Sequence, residues 1–266
     1  MRIHDASFGV LDTESTGLSA KDGHALVEVS ARRLWLRSPW DNSDFSTLVD
    51  PERDIPDSAS AVHHLTNADV AGYDRAAFVL ASLHAFLADA EVLVAHNAEH
   101  DKQFLPNLTN RKWLCLYRLA MHVFPDASDY KLQTLRYYID RLNGTRDGAR
   151  LDLAGLDPHR ALADVIVAEF VLRSAIRKYL QDGGKDDIDA LIAYAESPTM
   201  LAVWPFGKFK GQPISAAPND YLRWILGPRC EMEKSRDLVF TLECELQLRQ
   251  RQDAEVRRGV LAFVNG

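Results

Sequence analysis

Acidic residues in three separate segments of the chain have the types and the spacing of metal ligands. Asp12 and Glu14 lie two positions apart at the end of an apolar segment. Because the side chains of a β-strand alternate between its two sides, both carboxylates of this pair point the same way. Asp101 follows a second apolar run, and Asp164 follows His159 after four intervening residues. Taken singly, the pair is explained by chance and Asp101 by the favourable effect of an acid at a helix start, so only their combination predicts a site.

The carboxylate of Asp164 borders the apolar face of a predicted helix. Asp157-Pro158 is a good helix start, since aspartate caps free backbone amides and proline lacks only a donor that would be unpaired there. The apolar stripe of this helix contains three neighbours of Asp164, namely Leu162, Val165 and Ile166. Burying an unpaired carboxylate is costly, so Asp164 needs a cation or hydrogen-bond donors. A metal ion would meet that need, whereas His159 taken alone is more simply a surface side chain.

Strands and helices are predicted in an order that indicates an α/β fold. Three strands come first and form a meander, and two further strands separated by helices complete the sheet. The predicted strands cover residues 7–11, 25–31, 45–49, 92–95 and 113–117, and the predicted helices cover 59–65, 75–87, 132–142, 188–195 and the segment that starts at Asp157-Pro158. The composition of the sequence changes near residues 183–200, after which aromatic residues, glycines and lysines alternate. We therefore expect two domains, residues 1–182 and 200–266.

The three acidic segments, in this order, resemble the motifs of the DEDDh branch of the DnaQ-like exonucleases. The first motif is Asp12-Thr13-Glu14-Ser15-Thr16-Gly17-Leu18, Asp101 matches the second, and His159 with Asp164 gives the HxxxxD pattern of the third. The resemblance covers about residues 5–180. It includes Val62-His63-His64-Leu65-Thr66, which is similar to a segment that walls the terminal-nucleotide pocket. One residue departs from the family pattern, since His100 stands where an aromatic residue is usual.

The resemblance implies a ribonuclease H-like mixed sheet and hydrolysis of single nucleotides from a 3′ end. It implies that Asp12, Glu14, Asp101 and Asp164 hold two Mg²⁺ ions, for which Mn²⁺ substitutes, and oxygen ligands suit these ions. His159 is then the general base, because a near-neutral imidazole is able to accept a proton from water. The implied substrate-binding residues of the same domain are Thr13, Leu18, His64 and Asn97.

Aromatic residues and lysines alternate in the C-terminal region. Residues 204–211 and 218–225 resemble the small C-terminal module of the exonuclease X group within this family, which implies DNA as the substrate and a role in repair or recombination. Lys208 and Lys210 would contact the DNA backbone, as lysines beside aromatic rings do in single-strand binders. Alternatively, the rings form the core of a small docking unit. The sequence leaves both interpretations open.

Composition limits the remaining classes of function. The 266 residues carry a net charge of −7, which argues against a broad positive surface for nucleic acid but not against an enzyme that grips a strand end. We expect free thiols at the three cysteines and a cytoplasmic location without a membrane segment. The expected partner is the 3′ end of single-stranded or duplex DNA. The amphipathic segment 231–258 would pair with the catalytic domain or with a second copy of the chain, and the first is the commoner use.

Three alternatives stay open from the sequence. Relatives that trim RNA share all five catalytic residues, and contacts to the 2′-hydroxyl, which separate RNA from DNA, are not recognisable here. A proofreading subunit of a polymerase would need a tethering segment in place of the aromatic and lysine module. An inactive scaffold is disfavoured, because four clustered acids repel one another without cations.

Overall fold

The computed structural model describes residues 1–153, 155, 157–230, 232 and 234–264, and it separates the chain into two units, 1–196 and 197–266. Within the described part of the first unit, the strands are β1 (Ser7–Ser15), β2 (Leu26–Trp35), β3 (Ser38–Leu48), β4 (Val92–Ala95) and β5 (Trp113–Cys115). The helices of this unit are α1 (Asp57–His63), α2 (Asn67–Val70), α3 (Ala76–Phe86), α4 (Ala98–Phe104), α5 (Leu116–Val123), α6 (Leu132–Asn143), α7 (Ala161–Gln181) and α8 (Ile188–Glu196). Single 3₁₀ turns cover Ile3–Asp5, Ala20–Asp22 and Pro106–Leu108.

The described strands form one mixed sheet in the order β3-β2-β1-β4-β5. The first three strands are antiparallel neighbours, and β4 runs parallel to both β1 and β5. This arrangement confirms the predicted α/β class with a meander followed by parallel strands. Several predicted bounds are wrong: β1 continues to Ser15, β2 continues to Trp35, β3 begins at Ser38, and the strand expected to reach Tyr117 ends at Cys115. The chain turns into α5 there because Leu116, Leu119, Ala120 and Val123 recur at helical spacing and bury one face.

Helices cover both faces of the sheet. On one face α7 packs against β1 and β2, and its buried residues Val165, Val171 and Leu172 join Val10 and Val94 of the strands in one core. A second core lies on the opposite face, where α3 and α4 meet the alternate side chains of the same strands, including Leu11, Val29 and Leu93. Successive residues of β1 therefore enter different cores, which fixes the register of the strand that carries Asp12 and Glu14.

The start of α7 differs from the prediction. The helix begins at Ala161 with Arg160 as its N-cap, and that N-cap makes no side-chain capping bond, so the expected start at Asp157-Pro158 is wrong. His159 has φ of 66°, a left-handed conformation that a helix cannot contain. A carboxylate from the sheet takes over the capping role, because Glu28 Oε2 accepts the Ala161 backbone amide at 3.0 Å.

The second unit has its own small core. Its helices are α9 (Asn219–Leu226) and α10 (Arg236–Val264), and 3₁₀ turns cover Gly207–Phe209 and Ile214–Ala216. Trp204, Leu222, Ile225, Leu238 and Leu242 are buried together. The expected helix over residues 231–258 therefore exists with shifted bounds, and Glu231 lies outside the described residues. Among the described helices, none combines the length and the apolarity that a membrane span requires.

Candidate active site

Three of the predicted carboxylates meet beside β1, the central strand of the sheet. Asp12 and Glu14 lie on β1, and Asp164 lies in the first turn of α7, which packs across that strand. One carboxylate oxygen from each of these residues lies within 4.8 Å of the others. The spacing of two along a strand and the docking of one helix thus suffice to bring residues 150 positions apart into one cluster.

Asp101 completes the acidic group from α4. It lies outside the trio above, is 3% exposed, and accepts a hydrogen bond of 2.8 Å from the hydroxyl of Thr13. Its charge is near enough to raise the pKa of Asp12. Thr13 was predicted to touch the substrate. In the structure it is buried, and its hydroxyl hydrogen-bonds the Asp101 carboxylate.

The pKa values of all four acids are raised. Burial is the largest cause for each of them, and the charges of the neighbouring carboxylates raise the pKa of Asp12 and Glu14 further. The pKa of Glu14 rises from 4.5 to about 8 and that of Asp101 from 3.8 to about 7. Burial also raises the pKa of Asp164, although His159 and the side chain of Gln133 oppose this. Without a compensating cation, all four groups therefore release their protons at a higher pH than isolated carboxylates do.

His159 occupies the turn directly before α7. Its Nδ1 lies 4.0 Å from Asp164 Oδ2, and 59% of its side chain is exposed, so the imidazole stands at the rim of the acidic cluster. Gln133 of α6 donates a hydrogen bond of 3.1 Å to the other oxygen of Asp164. An imidazole beside a carboxylate and open to solvent is well placed to accept a proton, and the carboxylate stabilises the cation that forms.

A cavity of about 600 Å³ opens beside Glu14. Its lining includes Gly17, Leu18, Val62, His63 and His100. The predicted His64 is not among the lining residues, because α1 ends at His63 and His64 adopts a left-handed C-cap with φ of 62°. His63 is buried and faces the cavity in its place.

Two other predicted substrate contacts are exposed. Leu18 lines the cavity with 84% of its surface free, and Asn97 is an exposed N-cap of α4. His100, which replaces the usual aromatic residue, lines the same cavity, and its ring packs against that of Phe104 with centroids 5.2 Å apart and the rings tilted by 59°. Burial lowers the pKa of His100, so its ring is neutral and packs as an aromatic residue would.

Comparison with known proteins decides the family. The sequence model of the RNase T group, described as exonuclease, matches residues 10–169, which include every acid of the cluster and His159. The chain belongs to the DnaQ-like DEDDh family of 3′→5′ exonucleases. It is therefore a hydrolase that removes nucleotides from nucleic acid ends.

The relatives of this exonuclease match different shares of the chain. Exodeoxyribonuclease 10 of Escherichia coli (strain K12) is 27% identical over 244 residues, which cover 90% of this chain and 98% of that protein. A DNA polymerase III subunit epsilon-like protein of Rhodobacter capsulatus is 42% identical over 99 residues, which cover 37% of this chain and 14% of that protein. The structure of exonuclease X in complex with 5′ overhanging duplex DNA matches with a TM-score of 0.52 and 24% identity over 71% of this chain and 99% of that one, a likeness of fold.

The second unit of the exonuclease packs several partly buried aromatic residues around one buried ring, that of Trp204. Trp204, Phe209 and Tyr221 contact one another with ring centroids 4.9 to 6.1 Å apart and contribute to the core of the unit. Trp224 differs, since 46% of its surface is exposed. Lys208 and Lys210 are exposed, and the Lys208 ammonium lies 5.6 Å from the centre of the Phe209 ring.

Two residues near the active site escaped the sequence analysis. Glu28 lies directly opposite Glu14 in the β1–β2 register, is 2% exposed, and binds Arg160. Its signal in the sequence is an acid inside the apolar strand segment Leu26-Val27-Glu28-Val29. Gln133 has no comparable signal, because a polar residue on an amphipathic helix is ordinary.

Proposed function

We propose that this exonuclease is a metal-dependent exodeoxyribonuclease that releases nucleoside monophosphates from the 3′ ends of DNA, in repair or recombination. The observation that carries the proposal is the cluster of Asp12, Glu14 and Asp164, with Asp101 near enough to share its charge. A cluster of buried acids with raised pKa values is unfavourable unless cations neutralise it.

The residues present fit two Mg²⁺ ions, with Mn²⁺ as a substitute. The four acids offer only oxygen ligands, and both ions prefer such ligands. Asp12, Glu14, Asp101 and Asp164 would hold them. When bound, divalent ions lower the pKa of water and stabilise negative charge on a phosphodiester.

The remaining residues of the site have distinct proposed roles. His159 accepts the proton of the attacking water, and Asp164, 4.0 Å away, stabilises the imidazolium that results. The cavity beside Glu14 receives the terminal nucleotide against Leu18 and His63. Because His64 does not line the cavity, His63 takes its proposed contact to the last base or sugar, and Asn97 is proposed to support the second-motif loop. Thr13 acts through Asp101, whose carboxylate it fixes.

DNA is favoured over RNA by the extent of the likeness to exodeoxyribonuclease 10. That similarity covers 90% of this chain, so it includes part of the second unit and is not confined to the catalytic motifs shared with RNA-trimming relatives. Lys208 and Lys210 are the proposed phosphate contacts of the second unit, and their exposure is compatible with that role. A cytoplasmic location and a homodimer stay predictions.

The test uses end-labelled DNA and RNA of matched sequence, single-stranded and duplex, incubated with Mg²⁺ or with EDTA. We expect mononucleotides from the DNA 3′ end only when metal is present. Asp101→Asn should lower the rate at least about 100-fold, more than the loss typical of outer-shell partners of metal ligands. Glu99→Gln is the matched control, since Glu99 lies on the same helix with its side chain 82% exposed. Faster cleavage of RNA would favour the RNA-trimming alternative, and an unchanged rate in Asp101→Asn or in EDTA would contradict the metal assignment.

A further inference from the structure

The position of the His159 imidazole is set mainly by its backbone. The ring is 59% exposed, and its distance of 4.0 Å from Asp164 is too long for a hydrogen bond. The backbone at His159 has φ of 66°, which costs an L-residue with a β-carbon free energy relative to the helical conformation. Such a turn persists only where its neighbours hold it, so the contacts of the residues beside His159 decide where the imidazole stands.

Arg160 and Ala161, the two residues after His159, are both tied to Glu28. The Arg160 guanidinium donates to Glu28 through Nε at 3.1 Å and through Nη2 at 2.9 Å. The Ala161 backbone amide donates to the same carboxylate at 3.0 Å. Glu28 is 2% exposed and lies within β2, so three donors bind one carboxylate that the sheet holds rigidly. A two-point arginine contact fixes direction as well as distance.

The same carboxylate links the turn to the strand that carries the acidic cluster. Glu28 lies opposite Glu14 in the antiparallel register, and directly opposite residues share one face of the sheet. Arg160 offsets the repulsion between these two acids, since it lowers the pKa of Glu14 while Glu28 raises it. The same pair of strands, β1 and β2, therefore positions both the turn at His159 and the Glu14 carboxylate.

We propose that Glu28 and Arg160 are positioning residues for catalysis, which hold the His159 turn in the geometry that lets the imidazole reach the attacking water. This inference rests on the proposed function of His159. If the two residues had a purely structural role, their mutation would lower stability in the same way, but the loss of activity would not depend on the presence of the His159 imidazole. The two cases are separable because the protein offers a matched ion pair elsewhere on the same interface.

That matched pair is Arg32 with Glu169. Arg32 lies on β2 four residues after Glu28, and its Nη1 binds Glu169 of α7 at 2.8 Å. Glu169 is also largely buried, with 12% of its side chain exposed, and it accepts a second arginine, Arg173, at 2.8 Å. Glu169→Gln therefore removes a comparable strand-to-helix contact without touching the His159 turn.

The experiment is a double-mutant cycle on the full chain with single-stranded DNA and Mg²⁺. Glu28→Gln should lower kcat about 10- to 100-fold and leave KM within about twofold, because a misplaced base impairs chemistry and not binding. Glu169→Gln should leave kcat within about twofold. In a His159→Ala background, itself lowered about 100-fold or more, Glu28→Gln should cause no further loss beyond about twofold.

Three outcomes overturn specific parts of the reasoning. If Glu28→Gln lowers kcat equally with and without His159, the pair acts through other groups, and the positioning role is wrong. If Glu169→Gln lowers kcat as much as Glu28→Gln, the effect is one of general stability. If His159→Ala keeps its activity, the assignment of the base fails, which is a failure of the proposed function and not of the pair. Arg160→Lys, which keeps the charge but loses the two-point contact, repeats the cycle if Glu28→Gln does not fold.

Discussion

The acidic cluster should make the metal-free enzyme less stable as the pH rises, and one substitution should remove much of that dependence. Glu14 has a pKa of about 8 in the folded protein and an ordinary value of 4.5. Between these values the folded state holds a proton on Glu14 that the unfolded state has lost. The stabilisation from that proton is fully present below pH 4.5 and is lost as the pH rises through about 8. Glu14→Gln, in which position 14 no longer titrates, should lose less stability over the same interval, while Asp101 and the other acids still titrate.

The magnitude follows from the size of the pKa change. At about 1.4 kcal/mol for each pH unit, the interval corresponds to about 5 kcal/mol for an isolated group. The four acids share their protons, so this value is an upper bound. A change of only about 1 kcal/mol in the free energy of unfolding would still shift Tm by about 2–4 °C in a domain of this size class. Glu14→Gln should therefore have the higher Tm at pH 8.5 and nearly the same Tm as the parent at pH 5.

The assay is thermal unfolding in EDTA from pH 5 to pH 9, with and without added Mn²⁺. Mn²⁺ should stabilise the parent protein more than Glu14→Gln at high pH, because the ion replaces the lost protons. Glu99→Gln serves as the control, since its exposed carboxylate forms only a surface ion pair with Lys102. Equal Tm values for the parent and Glu14→Gln at pH 8.5 in EDTA would refute the electrostatic account of the site.

Two further predictions concern metal and DNA. The apparent Mn²⁺ affinity should rise from pH 6 to pH 8, because Asp101 and Glu14, with pKa values of about 7 and about 8, must lose protons to bind the ion. Calorimetry in buffers of different ionisation enthalpy should detect the released protons. An affinity that does not change with pH would contradict this prediction. Charge reversal of Lys208 and Lys210 should weaken DNA binding. It should also reduce the slope of log binding constant against log salt concentration by about 1.4 to 1.8, for two lost phosphate contacts. Filter binding in an Asp101→Asn background measures this slope, and an unchanged slope would exclude both lysines as contacts.

The sequence predicted those features of the fold that depend on local periodicity. The alternation of β1 places Asp12 and Glu14 on one side of the strand, and the apolar stripe of α7 places Asp164 against the sheet. That these residues meet in one cluster was expected only from the three motifs together and from the family that they resemble. The α/β class and the mixed sheet follow in the same way from the order of strands and helices.

The errors arose where distant contacts override local preference. Asp157-Pro158 has the composition of a helix start, but α7 begins at Ala161 because Glu28, 133 residues away, accepts its amide. Likewise, the choice between His63 and His64 depends on which residue takes the left-handed C-cap of α1. Neither a partner across the sheet nor a backbone dihedral angle is visible in residue types.

The wide separation of the acidic residues along the chain has a consequence for biosynthesis. Asp12 and Glu14 leave the ribosome early, whereas Asp164 and His159 emerge only after most of the first unit has been made. A nascent chain shorter than this contains the five strands but neither His159 nor Asp164. The acidic cluster therefore cannot assemble until residues 161–181 have been synthesised and have packed as α7 on β1.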